Sequence, residues 1–369
     1  MTPLPLHEFH HSLNAQFGEL NGAEVVLNYG SPLAEHAALR GSAVVLDLSF
    51  RNRICLTGAD RARFLHGQVT NDVNRLPPGD GCYAAITTAK GRMESDLNIY
   101  ALQDELLLDF EPGLTQKISQ RLEKFIVSDD VQVVDVARLY GLLSVQGPKA
   151  GDVVKALGVF TEIPTKEFQS LKISDATLGE IYLMNGLRQP GSAGVPPASY
   201  NLFVPADSLG AVADKLIAAA KSIGGLACGC EALEIARIEA GIPRFGADMD
   251  ESNIPLECGI EARAVSYKKG CYIGQEVINR IHSIGHVNKE LRGLRLTDDL
   301  KTLPVKGDKL FHDGKEAGYV TSAVKSPALN AVIALGYVRR EASSPGSELR
   351  LRTGSEETRA IVVETPFIQ

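Results

Sequence analysis

From about residue 288 onward the chain breaks into short runs in which apolar and polar side chains alternate: 291–296, 309–311, 317–323, 331–338, 348–352 and 360–363. A period of two sends successive side chains to opposite faces of a strand, so this stretch cannot be a helix bundle. Asp313-Gly314 between two of the runs is a strong hairpin-turn dipeptide. The pattern predicts a small antiparallel β-barrel or sandwich over 288–369. Upstream, over 1–287, strand and helix periods mix. Residues 43–48 and 53–56 read as strands, and 83–88 and 93–102 as a hairpin around Ala89-Lys90-Gly91-Arg92. Further strands are expected at 105–110, 131–136, 140–145, 181–184 and 200–204. Helices are expected after Asp60, at 114–127, from Gly147-Pro148 to about 157, at 207–223 and at 231–240. Asp60 is placed to cap the first of these, and Gly241 to stop the last. The fold class is α+β.

Among 369 residues, 44% are hydrophobic and 22% charged, the composition of a soluble globular chain with ample core. The N-terminus has no basic start followed by an apolar stretch, and no apolar run approaches a membrane span, so a cytoplasmic protein without membrane contact is expected. Six cysteines, at 55, 82, 228, 230, 258 and 271, do not make a disulfide framework. Cys228-Gly229-Cys230 lacks the second pair or histidine that a zinc site needs, so no metal is expected there. His7, His10 and His11 lie close enough to the terminus to fray. The segment 189–199, rich in Pro, Gly and small residues, reads as a mobile insertion.

The chemistry concentrates at 268–276, Lys-Lys-Gly-Cys-Tyr-Ile-Gly-Gln-Glu. Cys271 sits between Gly270 and Gly274, follows Lys268 and Lys269, and precedes a helix-competent run beginning at Gln275. Nearby cations and the unpaired N–H groups of a helix start both favour a thiolate, the nucleophilic and metal-binding form. A free cysteine in a turn is also commonly a small core residue. The net charge of −7 argues against nucleic-acid binding by the whole surface. Residues 263–295, however, carry seven Lys or Arg against two acids, a local excess of +5 that suits a folate glutamate tail or an RNA phosphate.

Lys269-Gly270-Cys271-Tyr272-x-Gly274-Gln275-Glu276 resembles the signature of the YgfZ family, folate-binding relatives of the glycine-cleavage aminomethyltransferase, the T-protein. Ordered blocks extend the resemblance: Asp47-Leu48-Ser49; Phe64-Leu65-His66-Gly67-Gln68-Val69-Thr70-Asn71-Asp72; Lys90-Gly91-Arg92-Met93 with Asp96-Leu97-x-Ile99-Tyr100; and Arg237-Ile238-Glu239-Ala240-Gly241-Ile242-Pro243. The resemblance implies a T-protein-like folate-binding fold over 1–287, in two lobes with an inner lobe at about 50–130, and a C-terminal antiparallel β-barrel domain over 288–369. It implies tetrahydrofolate or a one-carbon derivative as cofactor in a central cavity, with Asn71, Asp96 and Arg237 as contacts.

The function implied is that of a folate-binding accessory factor for assembly or repair of iron–sulfur proteins, with Cys271 as the reactive thiol and client or assembly proteins as partners. A folate-dependent aminomethyltransferase or demethylase is the first alternative, and a tRNA-modification factor using the basic segment the second. Two departures from the enzymes point away from aminomethyl transfer. Ser95 replaces the first of an aspartate pair, with Glu94 a potential substitute two positions before Asp96. Residues 195–199 lack the glutamate expected before the strand at 200–204.

Overall fold

The computed structural model describes residues 1–186, 198–297, 300, 302–354 and 356–368. Two large sheets and a barrel pack around a shared core, and a two-stranded hairpin, Gln16–Leu20 with Ala23–Asn28, precedes them. The larger sheet has six strands in the order Ser170–Asp175, Gly179–Asn185, Ala198–Pro205, Tyr140–Gly147, Val44–Asp47 and Leu226–Ala227. Helices Ala150–Ala156 and Leu209–Ser222 bury Val153, Val154, Leu216 and Ala220 in the apolar cluster beside it. The five-stranded sheet runs Gly81–Thr87, Met93–Ala101, Leu106–Phe110, Asn52–Thr57, Gln132–Asp135, and helices Arg61–Gln68 and Thr115–Glu123 complete its core.

Beyond residue 288 the alternating runs close into a six-stranded barrel. Its strands are ordered Lys289–Leu296, Ala331–Arg339, Lys315–Ser326, Lys309–His312, Glu348–Thr353 and Glu356–Val363, every pair antiparallel. Asp313 and Gly314 both adopt positive φ, 49° and 75°, as the tight hairpin between two of these strands requires. A central cluster draws Leu48, Tyr83, Met93, Phe203, Met249, Ile278 and Tyr337 from all three bodies.

Two buried ionic nodes bolt the barrel to the rest. Asp248 accepts from Arg237 at 2.7 Å and from Thr321 and Ser322 of the barrel at 2.5 and 2.7 Å. Glu239 accepts from His36 at 2.8 Å and from barrel Ser326 at 2.5 Å.

Several local expectations need correction. Asp60 gives no side-chain cap; its carboxylate accepts from the Asp130 amide instead. The helix expected over 114–127 is Thr115–Glu123, and the one after Gly147-Pro148 begins only at Ala150. The N-terminal histidines are not frayed. His10 is buried between the Asp47 carboxylate at 2.9 Å and the Tyr29 hydroxyl at 2.8 Å. Most of the insertion expected at 189–199 lies outside the described residues, while Ala198 and Ser199 begin a sheet strand. Among the described residues no helix is long and apolar enough to cross a membrane, and no group of His, Cys, Asp or Glu is placed to hold a metal ion.

Candidate functional site

Strand Met93–Ala101 alternates strictly from Ser95 to Ile99. Ser95, Leu97 and Ile99 face the sheet's own core, and Asp96 and Asn98 point the other way. A bulge between Met93 and Ser95 breaks the period, so Met93 joins the central cluster and Glu94, expected to share a face with Asp96, turns instead to Arg121 of helix Thr115–Glu123. On that second face Asp96 and Asn98 help line a cavity of about 360 Å³. Tyr83, Asp109 and Glu111 complete the five-stranded sheet's side. Gln146, Ser199 and Asn201 come from the larger sheet, and the end of helix Cys230–Glu239 with residues 240–244 closes a third side.

The Tyr83 hydroxyl donates to Asp96 Oδ2 at 2.7 Å. Burial, reinforced by the charge of Glu111, raises the Asp96 carboxyl to about 6, against the Tyr83 hydrogen bond and the Arg51 charge, which lower it. Arg51 donates through Nε to Asp109 at 2.8 Å and through Nη1 to Glu111. Asn98 donates to Asp109 at 2.9 Å. Three buried acceptors on residues that line this cavity have no hydrogen-bond donor: Asn98 Oδ1, Asn201 Oδ1 and Glu111 Oε2, the last with only the Arg244 guanidinium at 3.8 Å. An unmet buried acceptor costs about 1–3 kcal/mol. The lining is rich in acceptors, which suits a ligand with N–H donors such as the pterin edge of a reduced folate.

The expected site residues separate into two places. Arg237 lines the cavity, but its donors are committed within the protein: Nε and Nη2 to Glu234, Nη1 to the Ile242 carbonyl and Asp248, Nη2 also to Ser322. As arranged, it fastens the helix to the barrel and offers nothing to a ligand carboxylate. Asn71 does not line the cavity. Its amide donates to the carbonyls of Tyr83 at 2.8 Å and Arg263 at 2.9 Å, fixing two residues that do.

The signature 268–276 lies elsewhere, wedged between helix Arg61–Gln68 and the hairpin turn. Lys269 turns inward and donates to the carbonyls of His66, Val69 and Asn71. Burial lowers its ammonium to about 8. Tyr272 is buried under that ammonium, 4.7 Å from ring centre. The Ile273 carbonyl accepts from Thr87, and its amide donates to Gly67. Gly274, at φ +92°, starts helix Gln275–Ile284, and a Cβ there would lie 2.5 Å from Thr87 Oγ1 and 2.6 Å from the Thr88 carbonyl. Gln275 is half-buried in the first turn. Gly270, Cys271 and Glu276 are exposed, and none of the signature residues lines the cavity.

Ser95 changes the meaning of the missing acid. It is fully buried on the face away from the cavity, its hydroxyl donating to the Asp96 carbonyl at 2.9 Å. Its substitution for an aspartate therefore takes no carboxylate from the cavity, and the argument it offered against aminomethyl transfer does not hold. Glu94 pairs with Arg121 at 3.0 Å and does not line the cavity. Of the glutamate-less block, 195–197 lies outside the described residues.

The basic run 263–295 is not one face. Lys269 is buried, Arg263 pairs with Glu167 at 2.5 Å, Arg292 pairs with Glu290, and Lys289 lies over Tyr337. Sequence reasoning missed Arg51, Glu111, Asn98 and Asn201. Asn98 was available from the period of two that includes Asp96; Arg51 and Glu111 flank strands, and Asn201 sits in one, that only the tertiary fold brings together.

Residues 6–269 match the family described as the GCVT N-terminal domain, and 289–369 match the glycine cleavage T-protein C-terminal barrel domain. The chain belongs to the glycine cleavage T-protein family. It is 30% identical to an aminomethyltransferase of Symbiobacterium thermophilum, covering 98% of this chain and 96% of that one. It is 29% identical to one of Halalkalibacterium halodurans, over 98% and 97%, and 27% identical to one of Bacillus subtilis, over 98% of each chain. The crystal structure of the glycine cleavage system aminomethyltransferase T from Bartonella henselae superposes with a TM-score of 0.88 at 23% identity, covering 100% of this chain and 98% of that one, which establishes the fold. Tetrahydrofolate is the cofactor of this family, and the donor-seeking cavity around Asp96 fits it.

Proposed function

We propose that the protein is a tetrahydrofolate-dependent one-carbon transferase of the aminomethyltransferase type, working at Asp96. The supporting observation is the Asp96 carboxyl, aimed into the cavity beside three unmet acceptors and raised by burial to about 6. Bound tetrahydrofolate supplies a nitrogen, N5, that carries the one-carbon unit. Asp96 then holds a proton or a negative charge next to the reacting atoms near neutral pH, where the two forms are close in free energy. Tyr83 orients its Oδ2. The Arg51–Asp109–Glu111 cluster fixes the neighbouring charges, and Asn98 and Asn201 read the ring's donors.

The test titrates tetrahydrofolate into wild type and Asp96→Asn by calorimetry, then follows methylene-tetrahydrofolate formation from an aminomethylated lipoyl protein. Saturable binding with turnover in wild type, and turnover lower by about 10²-fold or more in Asp96→Asn, is expected. Binding without turnover in wild type would refute the transferase reading and leave the folate site intact.

One observation favours a second reading, a folate-binding accessory factor for iron–sulfur proteins of the YgfZ kind. Cys271 is exposed on a loop that the fold anchors on both sides, well placed to meet another protein. A strain lacking the gene, assayed for iron–sulfur enzyme activities and complemented with wild type or Cys271→Ser, decides it. Full rescue by the serine variant removes the thiol from the function.

A further inference from the structure

In three dimensions, a different set of basic residues converges from the one that clusters in sequence. Arg92 of the hairpin turn, His286, Lys289 at the start of the barrel, and Arg339 and Arg340 at the end of strand Ala331–Arg339 line an open cleft of about 820 Å³. It shares no residue with the cavity around Asp96. Glu257 and Glu341 are its acids, and Glu257 lies 3.7 Å from Arg92. Lys289 is already occupied, 3.2 Å from the Tyr319 hydroxyl and 4.5 Å from the Tyr337 ring centre. Arg339 and Arg340 are exposed and have no ion-pair partner among the described residues. On a chain of net charge −7, this is a local reversal of sign at the junction of barrel and hairpin.

Helix Gln275–Ile284 leads into the same cleft. Its apolar stripe is Val277, Ile281 and Ile284, at i, i+4 and i+7. Val277 rests on the hairpin turn, 3.4 Å from where a Cβ on Gly91 would sit. Ile281 is half-buried, and Ile284 is 86% exposed. The helix stops at Gly285, and the next residue is His286 of the cleft. One turn thus serves both features, with Gly91 under the stripe and Arg92 in the cleft.

We propose that this cleft and the exposed end of the stripe dock an acidic segment of a partner protein, its carboxylates engaging Arg339 and Arg340 and an apolar side chain covering Ile284. Guanidinium forks bind carboxylates in paired hydrogen bonds. A helix-borne apolar residue beside a charged cleft is the arrangement that captures an amphipathic segment. The two acids in the cleft disfavour a continuous phosphate backbone, and an exposed isoleucine has nothing to offer one. The inference stands apart from the folate reading, because the two sites share no residue.

The experiment uses the full-length protein and a fluorescein-labelled synthetic peptide with Glu and Leu in helical register. Fluorescence anisotropy is measured at low and high salt, with bulk tRNA as a competitor. Saturable, salt-sensitive peptide binding is expected, weakened about tenfold or more in Arg339→Ala/Arg340→Ala and in Ile284→Glu, and partly retained in Arg339→Lys/Arg340→Lys. Tetrahydrofolate titration of the double alanine variant should match wild type, which separates failure here from failure of the cavity. The proposal is overturned by an absence of saturable peptide binding or by equal affinity in the double alanine variant. It is also overturned if tRNA binds at the cleft and the double substitution abolishes that binding while the peptide does not compete.

Discussion

Replacing Arg237 with methionine tests whether this arginine is a fastener or a ligand contact. The guanidinium is buried, and the Glu234, Ile242, Asp248 and Ser322 oxygens accept from it at 2.5–3.0 Å. Methionine fills much of the same volume and removes every one of these donors. The exposed side of Glu234 can return to water, but Asp248 is 2% exposed and cannot. Stripping the partner from a buried charge costs about 3–5 kcal/mol. Asp248 keeps the Thr321 and Ser322 hydroxyls and the Arg244 amide at 3.1 Å, which places the cost at the low end, about 3 kcal/mol, or roughly two orders of magnitude in the folding equilibrium. Urea unfolding should show a lower midpoint at unchanged slope. Asp248→Asn should also destabilise, and the double variant should cost clearly less than the sum of the two. A loss below about 1 kcal/mol in Arg237→Met, together with loss of tetrahydrofolate binding, would refute the fastener and restore the arginine to the ligand.

Asp96 is raised to about 6 by burial, so the folded chain holds this proton more tightly than the unfolded chain. Its contribution to stability is present below the ordinary aspartate value and is lost as pH rises through about 6. Asp96→Asn should therefore be the more stable protein at pH 7, by on the order of 1–2 kcal/mol, with no advantage at pH 4; a constant difference across that range in thermal melts would contradict the assignment. Iodoacetamide with peptide mapping should modify the exposed Cys271 first. Burial shields Cys55 and Cys228 and pushes the thiols of Cys82, Cys230 and Cys258 up to about 12, so equal labelling of any of these would count against the packing. Gly274→Ala must hold φ near +92° and push against Thr87 and Thr88. It should cost about 2 kcal/mol or more and raise hydrogen exchange in 87–92 and 268–276, and a neutral effect would mean the wedge is loose.

Much of the framework was legible because it is written in local periods. The alternation after 288 and the Asp313-Gly314 turn give the barrel hairpins, and the alternation at 95–99 already places Asp96 and Asn98 on one face and Ser95 on the other. Reading Ser95 as a lost ligand contact overlooked that same alternation. What the periods cannot carry is partnership across the chain. Whether Arg237 meets a ligand or a barrel serine depends on residue 322, and whether Lys269 activates a thiol or holds three carbonyls depends on residues 66–71. His10 looked free because its partners, Asp47 at the end of one strand and Tyr29 just after another, are set apart from it in sequence.

The wedge formed by the signature also bears on how the chain is made. Helix Arg61–Gln68 ends in carbonyls whose donor, the Lys269 ammonium, lies 203 residues later than His66 in the chain. At about 5–20 residues per second, the helix leaves the ribosome some tens of seconds before that lysine exists. Once Asp135 has also emerged, the five-stranded sheet has its strands but still lacks the piece that seals helix to hairpin turn. This sheet and its helices are thus expected to stay incompletely sealed during synthesis until the signature arrives. Truncations that stop short of residue 269 should leave the nascent lobe in that open condition, however complete its own sequence.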